Sequence, residues 1–125
     1  MVRQHVLEAI DDPNFKLFVV WEPILKTDSA EAASLSSGFL RDGRATQFWA
    51  STRSVGRSFQ AAIGLEGEPA WDVYLVYDRG IRWTDEPPAP TTFQHQLGGR
   101  LPDDLLLSGP ALTDEIRALF RASPQ

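Results

Sequence analysis

The chain contains no cysteine. Disulfides, thiolate nucleophiles, Cys-x-x-Cys redox chemistry and Cys-ligated zinc are therefore excluded within its 125 residues. An excess of positive charge is also lacking, because 17 acidic residues outnumber 12 basic ones and the formal net charge is −5. A nucleic-acid partner is not expected, since phosphates require a basic face. The arginines at 41, 44, 53, 57, 79 and 82 are scattered and broken by acids, as on a solvated surface. No apolar run approaches the roughly 20 residues that span a bilayer, so no membrane partner is expected. The N-terminus is polar and lacks the charged-then-apolar pattern of a leader, which makes a cytoplasmic location the default expectation.

What is present suffices for a core. Hydrophobic residues make up 42% of the chain and include four Trp. One domain, residues 1–125, is expected from this length. The central stretch is Trp71–Trp83, which reads as a strand, a tight Asp78-Arg79-Gly80 turn and a returning strand. Val73, Leu75 and Tyr77 alternate with Asp72, Tyr74 and Val76. Both sets are largely apolar, so the strand is expected to be covered on both faces.

In chain order, Val2, Val6, Ala9 and Ile10 predict a first helix ending before Pro13. Phe15–Trp21 is a near-continuous apolar run, as in a strand buried on two sides, and Glu22-Pro23 stops it. Asp28 with Glu31 suggests a capping box for a helix with Ala32, Leu35 and Phe39 inward. A short extended segment, Ala45–Trp49, follows. Ser51 or Thr52 then caps a helix with Val55, Phe59, Ala62 and Ile63 on its apolar face and Gly64 as its C-cap. Residues 85–99 read as extended, and Leu105–Leu107 as a turn or an edge strand. Thr113 is the predicted cap of a last helix with Ile116, Leu119 and Phe120 inward. The order α-β-α-(β)-α-β-β-α predicts an α/β fold with a mixed sheet.

That order resembles the thioredoxin fold begun one strand late. The wording of Val19–Leu25, Trp71–Tyr77, Pro87–Pro90 and His95–Leu97 is similar to a group of bacterial thioredoxin-like proteins, over residues 2–97. The resemblance implies a three-layer sandwich whose mixed sheet ends in a C-terminal hairpin and helix, here shortened at its N-terminus. In such proteins a strand and a Cys-x-x-Cys turn precede the helix that corresponds to Val2–Ile10. Neither is in this sequence, and counting back from Gly80 puts Asp72 near the place of the family's cis-proline, with Pro69 three residues earlier. No redox residue carries over and no cofactor is implied. The missing strand is central in that family, so Phe15–Trp21 is expected either to pair directly with Trp71–Tyr77 or to receive a strand from a second chain. A homodimer or a repacked sheet follows. The implied function is non-catalytic binding or self-association. The alternative is a fragment of a thiol–disulfide oxidoreductase or peroxiredoxin-like protein whose cysteine segment lies upstream.

The candidate ligand-edge residues are Trp21, Glu22, Asp72 and His95. Glu22 ends its strand, the edge where open α/β sheets bind ligands. Asp72 begins a strand, and a parallel arrangement would put the two carboxylates at opposite edges, which argues against a dyad. His95 could act as a general base, but no nucleophile motif accompanies it, and a backbone-bonded histidine is the plainer reading. A cysteine-free hydrolase using Glu22 or His95 therefore ranks last. Neither Asp85 nor His95 has metal-ligand spacing. The four Trp stand at or near strand ends, as amphipathic caps do.

Overall fold

The computed structural model describes residues 1–23 and 38–122. Among the described residues the fold is mixed α/β, with two small sheets and few helices. The chain opens with a single π-helical turn, Arg3–Leu7, followed by β1, Leu17–Trp21. The predicted helix from Asp28 lies outside the described residues, apart from a final 3-10 turn at Gly38–Leu40. Next come β2, Ala45–Trp49, and two short helices, α1 at Ser54–Ser58 and α2 at Gln60–Ile63. Gly64 closes α2 with φ 71, a left-handed geometry that suits glycine. β3, Val73–Val76, and β4, Thr92–His95, precede two 3-10 turns and a long helix α3, Gly109–Ala122.

β1 pairs in parallel with β2, and β3 pairs antiparallel with β4. The predicted hairpin is corrected here. Gly80 does sit in a turn, at φ 87, but Ile81–Trp83 do not return as a strand. The partner of β3 is Thr92–His95. Ile81–Trp83 is only three residues long and runs on toward Pro87 and Pro88, which have no amide to donate, whereas Thr92–His95 is four residues long and can donate at each of them. The intervening loop folds back, with the Tyr77 hydroxyl donating to the Pro88 carbonyl at 2.8 Å and the Trp83 ring 4.8 Å from that of Tyr77.

β3 is the middle layer. Val73 and Leu75 pack with Ile63, Leu65 and Leu97 on one side, and Tyr74 and Val76 pack with Val6, Ile10, Leu112 and Ile116 on the other. This is the period-2 alternation of a strand covered twice, each fully buried apolar side chain contributing about 1.5–3 kcal/mol. β1 departs from the same expectation, because Phe18 is 67% exposed and Val20 also faces solvent. The direct pairing expected between β1 and β3 is likewise not found among the described residues.

The last helix also differs from expectation. It begins at Gly109, not after Thr113. The Ser108 hydroxyl accepts the Ala111 amide at 3.3 Å, so Ser108 takes the capping position. Thr113 is buried inside the helix, donating to the carbonyls of His5 and Gly109. Arg117 reaches the Ala9 carbonyl at 2.9 Å. Phe120 is exposed. α3 is thus clasped to the first helical turn. A second clamp is Arg44, which bonds Asp42 through Nε and Nη2 at 3.0 and 2.9 Å. It also donates to the carbonyls of Leu7 and Ile10, which the end of the first turn leaves unpaired.

Candidate functional site

A cavity of about 1350 Å³ lies between β1 and β3. Consecutive residues of both strands, 17–22 and 70–77, line it, so the strand edges border it and not one face of either strand. The ladders say which peptide groups turn toward it. Leu17 N–H donates to Arg44 at 3.0 Å, and Ala50 N–H donates to Trp21 at 2.8 Å. In a parallel ladder alternate residues bond one neighbour, so Leu17, Val19 and Trp21 serve β2. The peptide groups of Phe18 and Val20 point the other way. On β3, Gln96 N–H donates to Asp72 at 3.2 Å and Thr91 N–H to Val76 at 2.8 Å. Residues 72, 74 and 76 therefore serve β4, and the peptide groups of Val73 and Leu75 point away from it.

One end of the cavity is built around Gly56. Its amide donates to Glu22 Oε1 at 2.8 Å, and its carbonyl accepts the Ala70 amide at 2.9 Å. The C-terminal end of β1 thereby meets the N-terminal approach to β3, while Phe15, just before β1, packs against the same cluster as Tyr74 and Val76, so the two strands run side by side in opposite directions. The parallel arrangement that separated Glu22 from Asp72 is corrected accordingly: both carboxylates stand at the same end. They are engaged separately. Asp72 Oδ1 accepts the Tyr74 hydroxyl at 2.7 Å and the Gln96 amide nitrogen at 3.2 Å. Burial, reinforced by the hydrogen bond to Asp72, pushes the Tyr74 phenol up to about 12. Asp72 has φ 51, in the left-handed region that Asp tolerates better than most residues.

Three of the four residues singled out in the sequence, Trp21, Glu22 and Asp72, line this cavity. Trp21 Nε1 donates to Gln47 at 3.1 Å, which fixes the indole at the strand end. His95 stands elsewhere. It lies on β4, fully buried, with Nδ1 accepting the Leu97 amide at 3.0 Å and Nε2 2.8 Å from the Pro102 carbonyl. Since Nδ1 accepts, the proton is on Nε2, and both ring nitrogens are committed to backbone. His5 packs its ring against Gly109. Sequence reasoning missed Tyr74 and Gly56. A tyrosine two residues after an Asp gave a faint signal, whereas the glycine within a helical pattern gave a usable one.

Among the described residues, no group of three His, Cys, Asp or Glu side chains is placed to hold a metal ion, and no helix is long and apolar enough to cross a membrane. No protein-family model, no curated protein and no solved structure matches the chain.

Proposed function

We propose that the chain is a thioredoxin-like domain that performs no redox chemistry and works by binding, with the cavity between β1 and β3 as its site. The observation that carries this reading is the cavity itself, an apolar opening of about 1350 Å³ through the middle of a small domain. Interiors pack to crystal density with few voids larger than a water, so an opening of this size supports the reading of a site over that of a core. The two-sided β3, its antiparallel partner β4 and the closing helix α3 support the thioredoxin-like layout.

Self-association is part of the same reading. Phe18 and Val20 on β1 and Phe48 on β2 are exposed, and Val20 is in register with Phe48. Contiguous exposed apolar side chains mark interaction surfaces, and this strip favours a homodimer. A second reading is favoured by the separation of β1 from β3, which is where the family resemblance puts a further strand. In that reading the chain is a fragment of a thiol–disulfide oxidoreductase-like or peroxiredoxin-like protein whose cysteine segment lies upstream.

The test is titration of the pure chain with an apolar fluorescent dye, read through the dye and through Trp21 and Trp71. Light scattering is run alongside over a range of concentrations. Saturable one-site binding with altered Trp emission is expected. Absence of saturation would overturn the binding reading. Monomers at every concentration would remove the homodimer.

A further inference from the structure

Resting on the reading of the cavity as a binding site, we propose that its ligand is an extended segment of another polypeptide, taken up as an added strand between β1 and β3. Both long walls offer backbone. The peptide groups of Phe18 and Val20 on one side and of Val73 and Leu75 on the other turn away from the strands' existing partners, toward the cavity. Donors and acceptors repeating at every second residue along two facing edges match a peptide backbone and no common small molecule. The volume also exceeds the 300–1,000 Å³ or so typical of small-molecule pockets.

The fold specifies the segment further. β1 has five residues and β3 four, so four or five residues, about 17 Å, would be paired. β1 and β3 run in opposite directions, joined end to end through Glu22, Gly56 and Ala70. The incoming strand is therefore parallel to one wall and antiparallel to the other. Its two faces meet apolar side chains on both sides, Val6, Leu112 and Ile116 in one layer and Val55 and Phe59 in the other. A strand covered twice is a near-continuous apolar run, not an alternating one. Both edges of the segment must also be free. Among the described residues, each strand of a second copy of this chain already has one edge bonded to a neighbour. The partner is thus a flexible apolar segment that belongs to no sheet, and this uptake is separate from any dimer formed through Phe18 and Phe48.

The experiment is amide hydrogen exchange on the intact chain, with and without a synthetic peptide carrying a Val-Ile-Val-Ile-Val run between flanking lysines. The control peptide has proline at the central position, which removes a donor and blocks pairing. With the first peptide at 100 times its Kd, exchange at the Phe18, Val20, Val73 and Leu75 amides should slow about 100-fold. The control should leave them unchanged. Protection of none of the four while the apolar dye still saturates would overturn the strand proposal and leave the binding reading standing. Failure of dye and peptide together would remove both. Equal effects of the two peptides would overturn strand pairing. So would a free chain in which these four amides already exchange as slowly as those bonded between β3 and β4.

Discussion

Gly56 donates its amide to Glu22 at 2.8 Å from a position with no room for a side chain. A Cβ there would overlap the Ala70 carbonyl and come within 2.7 Å of Glu22 Oε2 and 3.2 Å of Pro69 Cβ. The Ala70 oxygen is backbone and cannot swing aside. Gly56→Ala should therefore cost about 1–3 kcal/mol, as overpacking of a buried site does. The urea midpoint would fall and dye binding at that end of the cavity would weaken. A change within about 0.5 kcal/mol, the range of ordinary surface substitutions, would mean that this junction does not hold β1 to β3.

Acid should loosen the clamp at the start of β2. Hydrogen bonds from the Arg44 side chain and backbone, with its nearby charge, hold the Asp42 carboxyl at about 2, below its ordinary 3.8. The folded state thus favours the carboxylate. This stabilisation is complete above the unfolded value and is lost as the pH falls from about 3.8 toward 2. NMR titration of the Asp42 side chain should give the low value in the native chain and a higher one, still below 3.8, in Arg44→Met, whose backbone amide keeps its bond to Asp42. An ordinary Asp42 in the native chain would refute the clamp.

Alkali acts at the other strand. The Tyr74 phenol is pushed up to about 12, first by burial and then by its hydrogen bond to Asp72. Here the folded state favours the neutral form. Its contribution is complete below the unfolded value near 10 and is lost as the pH rises from there toward 12. Asp72→Asn should lower the Tyr74 value without restoring 10, because burial persists. Absorbance titration, assigned by comparison with Tyr74→Phe, would read it. No difference between the native chain and Asp72→Asn would place the carboxylate outside the phenol's environment.

His95 should prove to be a positioning residue for backbone and not part of the site. His95→Ala leaves the Leu97 amide and the Pro102 carbonyl without these partners, at about 1–3 kcal/mol for each buried group. Stability should drop while dye affinity, measured on the fraction still folded, holds. Lost affinity in a folded variant would return His95 to the candidate site.

Much of the fold was legible because burial is periodic. The alternation of Val73 and Leu75 with Tyr74 and Val76 announced a strand covered twice, and Gly64 announced the end of α2. Trp21, Glu22 and Asp72 could be nominated because they end or begin apolar runs. The partner of β3 was not legible. Asp78-Arg79-Gly80 gives a strong local turn signal, yet a turn does not oblige the next residues to pair, and it is the more distant Thr92–His95 that pairs with β3. The start of α3 was misread for a related reason: Thr113 looks like a cap in sequence, but its hydroxyl bonds to His5, a contact 108 residues away that no local pattern encodes. The relative direction of β1 and β3, on which the proposed site depends, shows only in tertiary contacts at their two ends, Glu22 with Gly56 and Phe15 against the cluster that holds Val76, and has no periodic trace.

That distant clasp also bears on time. Thr113 to His5 and Arg117 to Ala9 each close a separation of 108 residues, whereas β3, β4 and α3 are neighbours along the chain. Long loops lose more entropy before their contacts return any energy, so local pairings form first. The clasp is therefore expected to form late, after the folding transition state. Arg117→Ala should then leave the stopped-flow refolding rate nearly unchanged and hasten unfolding, which would make the contact between the first turn and the last helix a determinant of the native chain's lifetime; a slowed refolding rate would place the clasp in the transition state.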